Sequence, residues 1–338
     1  GRKARLQEVF REGMKRMEKE MRQEETGRKN GGLQTVRDSG KAGGTQTAQD
    51  PRKARPKVSI CIPAYNNEPE VRRLLLSIAE QTMQDAEIIL TDDSTDGAIE
   101  ALAEEIRSGK QAEEAGTAPW SAPVMSRLRY VHNETPLGHI FNWNKALSLA
   151  QGEYIKIMFS DDWFTDRDSL KKLTALLEGS PQASLAFCGT RQVSEKRTWE
   201  RAAGKEYVER LRRDYRYLFL GNEIGAPSAT LYRACGAAFD ERSSWASDMF
   251  LYFEILRNNP VFAFTPEPLV SIGVHEEQYT ESFSQWDIRK YRDSRLMYEK
   301  YGLHGQEDCR KEMLRLNVKY RQGWKAASAC GASPAEYG

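Results

Sequence analysis

The sequence predicts an α/β fold: a mostly parallel sheet flanked by helices, with further helices closing the C-terminal end. Three observations carry this expectation. Short β-branched runs alternate with helical stretches from Lys57 to Phe159, and such alternation calls for parallel strands joined by crossover helices. The 338 residues, 39% hydrophobic and 29% charged, suffice to bury the two-sided core that a sheet of this kind needs. Polar, partly acidic loops follow the first, second and fourth apolar runs, which is where open α/β sheets bind ligands.

Each element has its own signal. Lys57–Pro63 (KVSICIP) is a β-branched run punctuated by proline, as in a buried strand. Glu68–Thr82 reads as a helix, with Val71, Leu74, Leu75 and Ile78 on one side. Ala86–Thr91 is a second strand and Thr95–Ser108 a second helix. Residues 109–127 form a polar insertion with Pro and Ala. Leu128–His132 is a third strand, Gly138–Gln151 a helix, and Glu153–Phe159 (EYIKIMF) a fourth strand. Beyond these the pattern loosens. Strands are expected at Ala183–Cys188, Ser228–Arg233, Val261–Thr265 and Leu269–Val274, and helices at Lys205–Phe219, Asp248–Asn258, Ser284–Tyr301 and Gln306–Ala327.

The N-terminal region differs in kind. Leu6, Phe10, Met14, Met17 and Met21 recur at helical spacing, so residues 1–24 read as a basic amphipathic helix. Residues 25–56 lack large apolar side chains and read as a flexible linker. Residues 57–280 form the expected main domain, with halves 57–165 and 166–280, and residues 281–338 a helical extension. Residues 1–56 hold 15 Lys/Arg against 8 Asp/Glu, leaving 35 against 41 for the rest. That basic excess suits a partner helix or peripheral contact with an anionic membrane. A net charge of +1 gives no support to nucleic-acid binding. Five scattered cysteines without CxxC spacing argue against zinc and a disulfide framework, and fit a reducing cytoplasmic setting. Cys61 and Cys188 lie in apolar runs, as core residues do. No apolar run is long enough to span a bilayer.

The chemistry is expected at the strand ends. Pro63-Ala64-Tyr65-Asn66-Asn67 follows the first strand and is neither a GxGxxG loop nor a P-loop. Asp92-Asp93-Ser94-Thr95-Asp96-Gly97 follows the second and Ser160-Asp161-Asp162-Trp163 the fourth. Adjacent carboxylates repel unless a positive charge lies between them, and a hard divalent cation with diphosphate oxygens supplies that charge. The Asp-Ser-Thr-Asp-Gly string is equally good as a turn and helix cap.

These strings together, KVSICIPAYNN, EIILTDDSTDG and GHIFNWNKALSLAQGEYIKIMFSDDW, resemble a family 2 glycosyltransferase. The likeness is strong over 57–165 and looser to about 280. It implies the GT-A type, a Rossmann-like sheet, and inverting transfer from a nucleotide diphosphate sugar with Mn2+ or Mg2+. Pro63, Ala64, Tyr65 and Asn66 are then expected to frame the nucleotide, with Asp93 accepting a hydrogen bond from the base. A uracil ring, and hence a UDP-sugar, suits that carboxylate because it carries an N–H. Asp161 is expected at the ribose or metal, Asp162 as the direct metal ligand, and His275 at the metal or diphosphate. Asp248, in Ser244–Phe250, is the implied general base, with a helix-capping role as the alternative. The sequence departs from the family at three places. One residue is missing between Asp93 and Ser94, Phe159 stands where a further Asp is common, and Trp143-Asn144 replaces an Arg-Asn pair, leaving Asn144 as the expected donor-side contact. A glycan or lipid-linked acceptor, and a role in cell-surface polysaccharide synthesis, follow from the same resemblance. The rival readings are a sugar-nucleotide nucleotidyltransferase, which normally shows a glycine- and base-rich loop after the first strand, and an inactive nucleotide-sugar-binding relative.

Overall fold

The computed structural model describes residues 55–109, 120–275, 284 and 286–331. The amphipathic helix expected at 1–24 and all but the last two residues of the linker lie outside them, as does most of the 109–127 insertion. Nine strands form one sheet in the order β3-β2-β1-β4-β8-β6-β9-β5, with β7 paired to β6. The strands are β1 Val58–Ala64, β2 Ala86–Asp92, β3 Leu128–His132, β4 Tyr154–Ile157, β5 Asp162–Phe164, β6 Leu185–Val193, β7 Thr198–Arg201, β8 Thr230–Arg233 and β9 Phe262–Gly273. The first four are mutually parallel. Beyond β4 the sheet is mixed: β8 runs antiparallel to β4 and β6, whereas β6 and β9 are parallel. The order 3-2-1-4 reverses direction between β1 and β4, and the crevice at that point is where a doubly wound sheet takes ligand.

Side-chain alternation along β1 shows why the core has two faces. Val58, Ile60, Ile62 and Ala64 point to one side and Cys61 to the other. The first side is covered by α1 (Glu68–Ala79), α2 (Ala98–Ser108) and α4 (Ser169–Glu178). The second is covered by α3 (His139–Ser148), α5 (Lys205–Arg213) and α6 (Ser247–Asn258). Two of the closing helices, α7 (Ile288–Lys300) and α8 (Glu307–Lys319), contribute Tyr291, Met297, Tyr298, Met313 and Leu316 to that second core, and α9 (Gly323–Ala329) follows them. Cys61 and Cys188 are buried, free thiols, as their apolar neighbours predict.

Several elements differ from expectation, each for a local reason. Helix α4 is not among the expected elements, although Leu170, Leu173 and Leu177, all fully buried, stand at helical spacing. Strand β5 has three residues, too short to show a period. The helix expected over Lys205–Phe219 stops at Arg213. Asp214 takes an extended conformation and its carboxylate accepts from Arg216 N, starting a 3₁₀ turn at Tyr215–Leu220. The helix expected over Gln306–Ala327 breaks into α8 and α9 where Arg321 and Gly323 both adopt positive φ. The two strands expected at Val261–Thr265 and Leu269–Val274 are one strand with a register shift against Cys188–Thr190. Gly189 permits the shift, since a Cβ there would collide with the Pro266 carbonyl.

Candidate active site

The crevice is built first from backbone. Ala64 and Asp92 are register partners at the ends of β1 and β2, and Asp93 N donates to Ala64 O at 3.0 Å. Asn66, with φ of 49°, donates its N–H to Ser94 Oγ at 2.7 Å, and its side-chain oxygen accepts from Thr95 N at 3.2 Å. The loops after Pro63 and after Asp92 are thereby stitched together. Tyr65 projects from this seam, 47% exposed.

Asp93 is buried, and its carboxylate is drawn toward the start of α3. Its oxygens accept from Leu137 N at 2.7 Å, Gly138 N at 2.8 Å and Asn133 Nδ2 at 2.9 Å. Asp93 therefore anchors the β3–α3 loop between the exposed side chains of Tyr65 and Leu137. Asn144 spends both ends of its amide elsewhere: Nδ2 donates to Phe239 O at 3.0 Å and Oδ1 accepts from Phe239 N at 2.9 Å. Its neighbour Trp143 packs against Phe159 and Phe239.

The two adjacent carboxylates go to opposite environments. Asp162, as the first residue of β5, is 2% exposed and faces the interior beside Ser228 and Lys156. Burial, with the charge of Asp161, raises its pKa well above the usual carboxylate range. Burial also lowers the Lys156 ammonium to about 8, and its Nζ donates to Ser228 O. Asp161 faces the other way, toward His275 at the end of β9. His275 Nε2 lies 3.4 Å from Asp161 Oδ2 and 4.0 Å from Glu70 Oε1, and has no hydrogen-bond partner among the described residues. Gly273 makes the approach possible. A Cβ on it would sit 2.6 Å from Asp161 O, the same oxygen that accepts from Gly273 N at 3.2 Å. Arg73 of α1 completes the rim: it donates to Asp161 O at 2.9 Å and lies 3.9 Å from the centre of the Trp163 ring.

Asp248 sits in the first turn of α6 and is partly buried. Its Oδ2 accepts from Asn222 Nδ2 at 2.6 Å and its Oδ1 from Met249 N at 2.7 Å. Desolvation outweighs both bonds and raises its pKa from 3.8 to about 6. The start of α6 is held from the far side of the fold. Asp293 of α7, 1% exposed, accepts N–H groups from Ser244, Trp245 and Ala246 at 2.9, 2.6 and 2.8 Å. One loop, 221–228, joins the two halves of the site. Asn222 holds Asp248 at one end, and Ser228 Oγ accepts from Phe159 N at 3.1 Å at the other.

The glycosyl transferase family 2 profile matches residues 59–240, more than half of the chain. The chain belongs to this family. It is 26% identical over 302 residues to the uncharacterized glycosyltransferase EpsJ of Bacillus subtilis, covering 82% of this chain and 79% of EpsJ. It is 32% identical over 138 residues to TuaG of Bacillus subtilis, a putative teichuronic acid biosynthesis glycosyltransferase, covering 40% of this chain and 46% of TuaG. It spans about half the length of several such relatives. Staphylococcus aureus TarS 1–349, solved with UDP-GlcNAc, superposes with a TM-score of 0.57 at 16% identity over 83% of this chain and 78% of that one, which shows a shared fold. The rival nucleotidyltransferase reading falls with the family match.

Sequence reasoning missed Glu70, Arg73, Asn222 and Asp293. Glu70 and Arg73 carried no signal, since they lie on the outer turns of an ordinary amphipathic helix. Asn222 and Asp293 act on partners 26 and 47 to 49 residues away, which local spacing does not reveal.

Proposed function

We propose that this glycosyltransferase moves a sugar from a UDP-sugar to a hydroxyl with inversion, in the synthesis of a cell-surface polysaccharide. The observation that carries the reading is the pairing of an Asp161–His275 cluster at the switch-point crevice with a desolvated Asp248 on the adjoining helix. The relation to TuaG supports the polysaccharide setting, and the bound ligand of TarS supports the uridine donor.

The nucleotide is taken to lie over the stitched loops, its base against Tyr65 and beside Asp93. Pro63, Ala64 and Asn66 shape that floor. The diphosphate then reaches the rim at Asp161, where Arg73 contributes a fixed positive charge. Asp161 and His275 fit a divalent cation, since an unpartnered imidazole nitrogen facing a carboxylate is a hard-to-borderline N/O donor pair. Held by these two side chains, Mn2+ or Mg2+ would supply the positive charge that neutralises the diphosphate. Asp162 supports this pair from beneath, through the buried Ser228–Lys156 contact, rather than ligating directly. Asp248 takes the proton of the acceptor hydroxyl as that oxygen attacks the anomeric carbon and the nucleoside diphosphate leaves. A pKa near 6 keeps it ionised at neutral pH, yet basic enough to accept a proton.

Acceptor-dependent release of nucleoside diphosphate tests the whole reading. Turnover is expected with Mn2+ or Mg2+ and is expected to stop in excess chelator. In Asp161→Asn and His275→Ala, calorimetry should show loss of the metal-dependent part of UDP binding. Undiminished metal-dependent binding in both variants rejects the assigned ligand pair, and release without any acceptor rejects transfer.

A further inference from the structure

The closing helices carry a surface that the transfer chemistry does not use. Residues 284–331 hold 11 Lys/Arg against 6 Asp/Glu, whereas residues 57–283 hold 24 against 34. The body is acidic and its last helices are basic. One of the six acids, Asp293, is withdrawn from the surface beneath Ala246. The same segment also presents apolar side chains to solvent. Trp286 is 61% exposed, Val318 58%, Trp324 42% and Ile288 40%, four of the eight large exposed apolar residues among those described.

These features lie together. Ile288, Arg292, Arg295, Glu299 and Gln322 line one groove of about 420 Å³ between α7 and the turn that joins α8 to α9, where Arg295 is paired with Glu299 at 2.8 Å and Arg292 adds a further positive charge. Trp286 and Trp324 each lie two residues from that lining, and the Lys319 ammonium sits 5.5 Å from the Trp286 ring. Indole rings and aliphatic tips interleaved with ammonium and guanidinium groups suit a boundary between charged headgroups and hydrocarbon. The rings fill the interfacial layer while the cations meet phosphate.

We propose that this face docks the glycosyltransferase onto an anionic lipid bilayer. A face-to-face pairing with a second copy of the chain is disfavoured, because two such basic faces repel. A soluble polyanion would satisfy the charge, but it gives the exposed tryptophans nothing to enter. The N-terminal segment, residues 1–56, has the same sign of charge, so the test includes it as the alternative point of attachment.

Vesicle flotation with the full chain is the test. The protein is expected to float with phosphatidylglycerol-containing vesicles and not with phosphatidylcholine vesicles, and to release as salt is raised. Trp286→Ser with Trp324→Ser, and separately Arg292→Glu with Lys319→Glu, should each weaken vesicle partition roughly tenfold or more. Melting temperatures equal to that of the parent show that the variants are folded. Parental flotation by both variants overturns the proposal and moves attachment to the N-terminal segment. Loss in the charge-reversed variant alone, with polyphosphate competing as well as vesicles bind, overturns it in favour of a polyanion surface.

Discussion

Asp248 shows how one side chain is tuned by what surrounds it. A carboxyl desolvated at the start of a helix holds its proton up to about pH 6, and hydrogen bonds from the Met249 and Asn222 N–H groups restrain the shift. Asp248→Asn should therefore lower kcat by roughly 10²–10⁴, with donor affinity little changed. In the parent enzyme kcat should fall on the acid side with a midpoint near 6, because the protonated carboxyl cannot accept the hydroxyl proton. The stability effect has the opposite sense. The folded protein binds this proton more tightly than the unfolded chain, so the site's contribution is full below the unfolded value and is lost as pH rises through about 6. Thermal unfolding of Asp248→Asn should lack that decline. Asn222→Ala removes a donor that favours the ionised form, so its acid limb should move above that of the parent. An unmoved limb would mean that Asn222 does not govern this carboxylate.

At the scale of elements, the site depends on contacts between segments far apart in sequence. Helix α6 starts where Asp293 of α7 gathers three consecutive N–H groups, 47 to 49 residues away. Asp293→Ala deprives these groups of their acceptor and should cost about 2–4 kcal/mol, with a fall in kcat as Asp248 loses its fixed position. Asp293→Asn keeps an acceptor oxygen and should recover most of both losses. Equal damage from Ala and Asn, read by denaturant unfolding, would show that the charge itself matters. Local signals explain why most elements were legible and some were not. Apolar spacing identifies α1 and α2 because each buries one stripe against the sheet, whereas α6 is legible as an apolar run, with Met249 to Phe253 buried in succession. Strand β7 is polar and exposed on nearly every residue, so it has no burial pattern to read. The break between α8 and α9 rests on positive φ at Arg321 and Gly323, and of these only the glycine has a turn preference of its own.

Across the whole molecule, the closing helices are part of the core rather than a separate layer. Tyr291, Met297, Tyr298 and Met313 are at most 3% exposed and belong to the same cluster as Phe250 and Tyr252 of α6. Truncation after Ser284 should therefore yield insoluble or molten protein, checked by near-UV circular dichroism and proteolysis. A folded, active product would show that the second face needs no cover.

The family was open to sequence reading, and so were the strand ends that carry the candidate site residues. Strand and helix signals are local, and the PAYNN, DDSTDG and SDDW strings lie within a few residues of the strands that present them. Side-chain direction was not open to it. Asp161 and Asp162 are neighbours of the same type, and only the pairing of β5 with β9 turns one toward His275 and the other into the interior. Asp93 is held by a loop more than 40 residues away and Asn144 by a backbone 95 residues away. A residue's role there depends on which partner satisfies its hydrogen bonds, and tertiary packing alone chooses that partner.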